Sequence, residues 1–404
     1  MSATLLYRSF GIRGYQYTRT DYPAGQTIFT VHQAPETCRC AACGSPRVQM
    51  RGRVERQFRC LPIGRRATFV VLPIPRVECQ ACGLVRQVEV PFADARRSYT
   101  FAFERYALDL SRHMTIRDVA KHLGVSWDMI KEIQKRYLSR RYAKPKLKHL
   151  RHIAIDEISI AKGHRYLTVV MDLESGVVVF VGDGKGAKAL KPFWKRLWGS
   201  KAKIKAVAMD MSPAYQEAVS THLSKAKIVF DRFHVMKLFN EKLSDLRRAL
   251  YREATEVLHK KVLKGTRWLL LKARENLDKK RNEKQKLKEA LALNKSLAVA
   301  YYMKEDLRQF WELPGKSFAT LFLDGWIKRA EASGIKMLQG MATTLEAHRS
   351  GLLAYYDAMI TSGPMEGTNN KIKTMKRQAY GFRDKEFFKL KILGIHETKY
   401  ELVG

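Results

Sequence analysis

His152-Ile153-Ala154-Ile155-Asp156-Glu157-Ile158-Ser159-Ile160 is the stretch on which the fold turns. Its apolar residues alternate around Asp156, and a period of two over this length predicts a strand. An ionisable side chain inside such a strand is costly to bury unless it has a partner. Working outward, Lys162-Gly163 offers a turn, Tyr166 to Leu173 a second strand, Ser175-Gly176 a second turn, and Val177 to Val181 a third strand. A helix is expected from Ala187 to Trp198. The strand Ala206 to Met209 then ends in Asp210, and Ser212-Pro213 opens another helix, with Ser as N-cap and Pro at the first helical position. Ile228 to Phe230 makes a fifth strand that runs into Asp231.

Three antiparallel strands, helix, strand, helix, strand is the order of an RNase H-like α/β/α sandwich with a mixed sheet. In that layout the strands carrying Asp156 and Asp210 are neighbours, so their carboxylates come close. Close carboxylates repel, and a site that keeps both ionised holds a divalent cation between them. The plain alternative for Asp210 is a helix cap, and Asp231, also at a strand end, is its rival. Glu157 alternates to the opposite face and is not counted as a ligand. From about Phe233 to Tyr356 the pattern is almost wholly helical, broken at Leu313-Pro314-Gly315. A third acid is expected on the helix that returns after this insertion. The candidate is Glu366 in Ser362-Gly363-Pro364-Met365-Glu366-Gly367-Thr368-Asn369-Asn370-Lys371-Ile372-Lys373. Helical spacing puts Glu366, Asn370, Lys373 and Arg377 on one face, an acid beside a basic stripe that suits a metal-binding carboxylate with a nucleic-acid backbone alongside.

Across the 404 residues, Lys plus Arg number 75 and Asp plus Glu 39, and 75 − 39 gives a formal charge of +36. Such an excess is foreign to an ordinary metabolic enzyme and calls for a polyanion, most commonly nucleic acid. A hydrophobic content of 46% excludes a disordered tail. No apolar run approaches the ~20 residues of a membrane span, and the start Met1-Ser2-Ala3-Thr4 lacks a signal-peptide plan. A cytoplasmic protein without disulfides and with no membrane partner is therefore expected.

All six cysteines precede residue 83, which marks a separate N-terminal module. Cys40-Ala41-Ala42-Cys43 and Cys79-Gln80-Ala81-Cys82 are two CxxC pairs, each followed by glycine (Gly44, Gly83). Two such knuckles supply four thiolates at tetrahedral angles, the pattern of one structural Zn²⁺. Cys38 and Cys60 lack partner spacing, although Cys38-Arg39-Cys40 leaves the first ligand ambiguous. Between the knuckles, Arg47, Arg51, Arg53, Arg56, Arg59, Arg65, Arg66 and Arg76 face only Glu55 and Glu78, which reads as a phosphate-gripping surface. Further on, Thr115 to Ser126 reads as a helix and tight turn at Gly124, followed by a second helix from Trp127 to Tyr137 capped by Ser126. Ile116, Val119, Ala120, Leu123, Val125, Ile130 and Ile133 would form its core. This is a helix-turn-helix pattern. Arg117, Lys121, Ser126, Trp127, Lys131, Arg140 and Arg141 are the candidate DNA contacts, with Arg136, Lys144, Lys146, Lys148 and Arg151 adding charge nearby.

Through Ile155-Asp156-Glu157, Met209-Asp210-Met211-Ser212, Asp231-Arg232-Phe233-His234-Val235 and Glu366-Gly367-Thr368-Asn369-Asn370, extended by Lys376-Arg377 and Tyr380-Gly381-Phe382, the sequence resembles the ISL3 family of insertion-sequence transposases, a DDE type. The resemblance covers nearly the whole chain. It implies a multidomain α+β protein: a zinc ribbon over 1–95, a helix-turn-helix with basic linker over 96–150, an RNase H-like core over 151–232 and 357–404, and a helical insertion over 233–356. It also carries the catalytic triad onto Asp156, Asp210 and Glu366, holding two Mg²⁺ (or Mn²⁺) ions per active site. Asp231 and His234 match a D-x-x-H motif and are expected as active-site support. The implied activity is binding of terminal inverted repeats, then metal-dependent cleavage and strand transfer. The expected partners are double-stranded DNA, as transposon ends and target, and further copies of the chain, since two ends must meet in at least a dimer at the nucleoid. Two alternatives stand beside it. A regulator that has lost catalysis would not need three acids. An RNase H-like nuclease such as a junction resolvase would lack the ribbon and the insertion.

Overall fold

The computed structural model describes residues 3–161, 163, 165–256, 262–292 and 294–396. Lys162 of the first expected turn, and the 1–2 and 397–404 ends of the outer expected domains, lie outside the described residues. Up to residue 143 the chain forms one unit, and residues 144–396 form another. Among the described residues no helix is long and apolar enough to cross a membrane.

In the N-terminal unit, helix α1 (Ala3–Phe10) precedes strands β1 (Gln16–Asp21), β2 (Thr27–His32), β3 (Val48–Arg59), β4 (Thr68–Cys79) and β5 (Val85–Gln87). The long strand β4 organises the sheet. β3 runs antiparallel along it, while β2 and β5 pair with its first and last residues. Val70, Leu72, Ile74 and Val77 of β4 are buried against Phe29, Val31 and Phe58. Helices α2 (Phe101–Leu110), α3 (Ile116–Leu123) and α4 (Trp127–Tyr142) follow. They bury Phe103, Ala107, Val119, Ala120, Leu123, Ile130 and Ile133 in a small core of their own, with Ile116 and Val125 partly buried against it.

In the second unit, β6 (His152–Ala161), β7 (Arg165–Asp172) and β8 (Val178–Asp183) pair antiparallel, and β9 (Ala206–Met209) and β10 (Lys227–Phe230) extend the sheet parallel to β6. The order β10-β9-β6-β7-β8 is the expected RNase H-like one. Alternation sends Ile153, Ile155, Val207 and Met209 to one face, and Ala154, Ile158, Ala206 and Ala208 to the other. The first face is covered by α5 (Ala187–Ser200), α6 (Pro213–His222) and the long α7 (Arg232–Glu253), through Leu190, Phe193, Tyr215, Val235 and Phe239. Then come α8 (Arg267–Leu271), α9 (Glu283–Ala292), α10 (Lys295–Arg308), α11 (Lys316–Ala332), α12 (Lys336–Ala347), α13 (Arg349–Leu353) and α14 (Tyr355–Ala358), whose Trp326, Leu338 and Leu345 belong to the same core. The opposite face is covered by α15 (Gly363–Gln378) and α16 (Lys385–Leu393), through Met365, Ile372, Phe388 and Ile392.

Two details fix the site's frame. Gly351 of α13 lies so close to β10 that a Cβ there would stand 2.3 Å from the Phe230 ring, so only glycine fits. Leu147 and Leu150, expected in a linker, are buried in the core of the second unit, which therefore begins before the expected boundary at 151.

Candidate active site, metal centre and DNA-binding elements

Strand parity builds the acidic site. Across the parallel pair, His152, Ile153 and Ala154 stand opposite Ala206, Val207 and Ala208. Carried two residues on, that register sets Asp156 opposite Asp210, on the sheet face that α15 covers. Asp210 lies just past the end of β9, and its Oδ1 accepts the Ser212 N–H at 3.1 Å. Asp156 Oδ1 accepts the Glu157 N–H at 2.8 Å, and its Oδ2 accepts the Asn369 Nδ2–H at 2.6 Å. Asn369 is buried on the inner side of α15, and Glu366, half-buried, stands one turn before it. Asn370, Lys373 and Arg377 are exposed on the same helix. Burial pushes the Asp156 carboxyl above the usual carboxylate range, and the charge of Asp210 adds to the rise; nearby His234 and the Glu157 N–H oppose it.

An all-oxygen donor set suits a hard divalent cation such as Mg²⁺ or Mn²⁺. Two features of the site fit one: Asp156 and Asp210 bring like charges to a buried face, and Asn369 Oδ1 is buried with no hydrogen-bond partner. The carboxylates of Asp156, Asp210 and Glu366 are not drawn into a tight cluster. Among the described residues, the groups of three or more metal-ligating side chains with all ligand atoms within 4.8 Å reduce to one set of four cysteines.

Asp231 does a different job from Asp156 and Asp210. It is 4% exposed, its Oδ1 accepts the Ser362 N–H at 3.2 Å, and its Oδ2 accepts the Ser362 hydroxyl at 2.7 Å and the Phe233 N–H at 3.2 Å. It thereby caps α7 and ties the exit of the insertion to its return at the N-cap of α15, the helix that carries Glu366. Replacing Asp231 with Ala strands three donors, a cost of about 1–3 kcal/mol. Denaturant unfolding should show that loss; an unchanged midpoint would refute the tie. Glu157 faces the other side of the sheet, where it accepts from the Tyr215 hydroxyl at 3.4 Å. Burial pushes that hydroxyl up to about 12.

The zinc-type site lies at one end of the β3–β4 hairpin. Cys79 closes β4 opposite Val48, and the two knuckles turn at Gly44 and Gly83 with φ of 72° and 69°. Cys40 and Cys82 sulfurs are 3.7 Å apart and those of Cys43 and Cys79 3.6 Å. Four Zn–S bonds of ~2.3 Å at tetrahedral angles would separate sulfurs by about 3.8 Å. Cys38 is outside the set and packs in the sheet core with Cys60, whose thiol burial pushes up to about 12.

In the helix-turn-helix, Thr115 caps α3 by accepting the Asp118 N–H, Gly124 turns the chain at φ 63°, and Ser126 caps α4 by accepting the Met129 N–H. Arg117 in the first turn of α3, Lys121 in its last turn, and Ser126 and Trp127 at the start of α4 are exposed, and Lys131 lies 5.4 Å from the Trp127 ring. Further along, Arg136 is enclosed, whereas Arg140 and Arg141 make local contacts and stay exposed. Arg136 binds Asp94 and the Tyr99 hydroxyl, Arg140 reaches Asp94 at 3.2 Å, and Arg141 stacks on Tyr137 and Tyr142. Arg59 is another correction. Expected on a phosphate-gripping surface, it is 5% exposed and donates to the Leu123 and Thr68 carbonyls.

Comparison with known proteins matches residues 153–392 to the ISL3-type DDE model, described as a transposase. Residues 88–138 match the helix-turn-helix domain of transposase family ISL3, and residues 36–82 the zinc finger of transposases IS204/IS1001/IS1096/IS1165. The chain belongs to the ISL3 family of transposases. It is 31% identical over 391 residues to the transposase for insertion sequence element IS1001 of Bordetella parapertussis, covering 95% of both chains. It is 29% identical over 370 residues to that for IS1557 of Mycobacterium tuberculosis, covering 85% of this chain and 82% of the relative. A solved Drosophila P element transposase strand transfer complex aligns over 77% of this chain and 94% of its own, with TM-score 0.43 and 11% identity. As an ISL3 transposase the chain is a DDE-type enzyme that acts on DNA through a zinc ribbon, a helix-turn-helix and an RNase H-like core.

One residue of this ISL3 site escaped the sequence: Asn369. Its neighbour Asn370 shares the exposed face with Glu366, and only the phase of α15 against the sheet turns Asn369 inward onto Asp156.

Proposed function

We propose that this transposase binds the terminal inverted repeats of its element and uses Asp156, Asp210 and Glu366 to cut DNA and join the ends to a target. The observation that carries this is the nearness of Asp156 on β6 to Asp210 at the end of the neighbouring β9, with Asn369 of α15 clamping Asp156. The three acids would hold two divalent cations, Mg²⁺ or Mn²⁺, which activate the attacking oxygen and stabilise the leaving one. Asp156 comes from β6 and Asp210 from the end of the neighbouring β9, and Asp231 holds the start of the helix that carries Glu366. His234, near Asp156, would serve as active-site support. Asn370, Lys373 and Arg377 would grip the backbone of the DNA being cut.

The division of labour follows the chain. Residues 1–95 and 96–150 would select the ends, with Arg117, Lys121, Ser126, Trp127 and Lys131 at the groove and Arg140 and Arg141 on the backbone. The insertion over 233–356, basic in its first half, would hold flanking DNA, and the core over 151–232 and 357–404 would do the chemistry. Bringing two ends together calls for at least a dimer, working on the chromosome in the cytoplasm. Incubating the purified protein with labelled end DNA and Mg²⁺ tests the proposal. Cut and joined products are expected; binding without cleavage would make the chain a regulator, and cleavage without joining a nuclease.

Asn369→Ala should slow cleavage by roughly 10–100-fold, the usual cost of losing a group that orients a metal ligand. Weaker Mn²⁺ binding, measured by titration, should accompany it; unchanged Mn²⁺ affinity would show that the clamp on Asp156 does nothing.

A further inference from the structure

At the other end of the catalytic sheet from Asp156 lies a cleft of about 550 Å³ that this chemistry does not use. Its walls include Lys148, His149, Arg151, Lys201, Lys203 and Lys205, with Glu174 as the one acid. Its position follows from the strands. Arg151 and Lys205 immediately precede β6 and β9, and the Lys205 N–H donates to the Arg151 carbonyl at 2.7 Å. Asp156 lies five residues further along β6, about 16 Å away at ~3.3 Å per residue. The cleft is therefore separate from the carboxylates.

Its charge is uncompensated. Glu174 is engaged by His152 Nδ1 at 3.2 Å. Among the described residues none of Lys148, Arg151, Lys201, Lys203 and Lys205 has a carboxylate within 4.0 Å. Lys227, which opens the next strand, shows the ordinary arrangement, with Asp357 at 3.1 Å. Five cations gathered around a single acid that is itself held by His152 repel one another, and a concavity so dominated by one sign concentrates anions.

We propose that this cleft grips the phosphate backbone of a duplex DNA segment other than the one being cut. The ligand rests on the transposase reading, since strand transfer engages more than one DNA segment, and duplex phosphates give cations a large, salt-dependent affinity. The test removes three charges from exposed positions of the full chain, as Lys201→Ala/Lys203→Ala/Lys205→Ala. Binding to a random-sequence duplex is measured in EDTA over a range of salt. Each phosphate contact contributes about 0.9 to the slope of log affinity against log salt. The triple variant should thus lower that slope by roughly 2–3. The matched variant Lys188→Ala/Lys191→Ala/Lys195→Ala, on the exposed face of α5, should lower it by less than about 1. An unchanged slope overturns the proposal, as does an equal drop in the α5 variant, which would mean bulk charge alone. A loss confined to RNA or to inorganic polyphosphate overturns the DNA assignment. If the triple variant misfolds, Lys203→Gln/Lys205→Gln replaces it, with an expected drop of about 1–2. The wild-type chain's cleavage of end DNA is scored separately, so failure of the transposase reading is distinguishable from failure of the cleft.

Discussion

Alanine at Asp156, Asp210 or Glu366 should abolish cleavage and strand transfer while leaving affinity for end DNA within about twofold. The expected loss exceeds the roughly 10–100-fold that follows removal of a group orienting a metal ligand, because a ligand itself is gone. Binding should survive because these carboxylates repel phosphate rather than attract it; removal of one lowers local negative charge. The two observables therefore move independently, and a gel-shift paired with a cleavage assay reads both. Asp231→Ala provides the internal contrast. Its carboxylate is consumed by Ser362 and Phe233, so its loss should appear first as lower stability and only then as lower activity. If Asp210→Ala still cuts and Asp231→Ala is folded but dead, the second acid is Asp231.

The catalytic sheet was legible because each of its features is a local signal. Period-two alternation from His152 to Ile160, Gly-containing turns and the Ser212-Pro213 cap each name an element without knowledge of its neighbours. Strand parity then settles which face Asp156 and Asp210 share, since one residue of slippage would send either to the opposite layer. What the sequence hid is set by contacts across long separations. Arg59 looks like its neighbouring arginines until Leu123, 64 residues away, takes its proton donors. Arg136 reads as flanking positive charge until Asp94 and Tyr99 enclose it. Charge is visible in a sequence; burial of charge is not. The helix Phe101–Leu110, which completes the helix-turn-helix core, was missed because its apolar residues Phe103 and Ala107 acquire meaning only against Ile130 and Ile133.

Loss of zinc should damage the chain locally, at the knuckle end of the β3–β4 hairpin. Purified protein should carry about one Zn²⁺ per chain, and Cys79→Ser should lose it. Structural zinc contributes an apparent binding free energy of about 10–16 kcal/mol at pH 7, as much as the whole stability of an ordinary domain. Its effect depends on what else holds the neighbouring backbone. Near the knuckles little does: β5 is three exposed residues, and the ladder shifts register between Met50 and Arg53. Beyond that shift, Phe58, Val70, Leu72 and Ile74 pack with Phe29 and Val31 in a core that includes none of the four clustered cysteines. Amide hydrogen exchange should accordingly quicken over 40–50 and 76–87 in Cys79→Ser or chelator-treated protein, while 54–59 and 68–74 remain protected. End recognition should fall with it, whereas residues 144–396 should keep their own exchange pattern. Metal analysis that finds no zinc in fresh protein would end the argument. Uniform loss of protection through residue 74 would show instead that the metal holds the entire sheet, and that the apolar core is too small to stand alone.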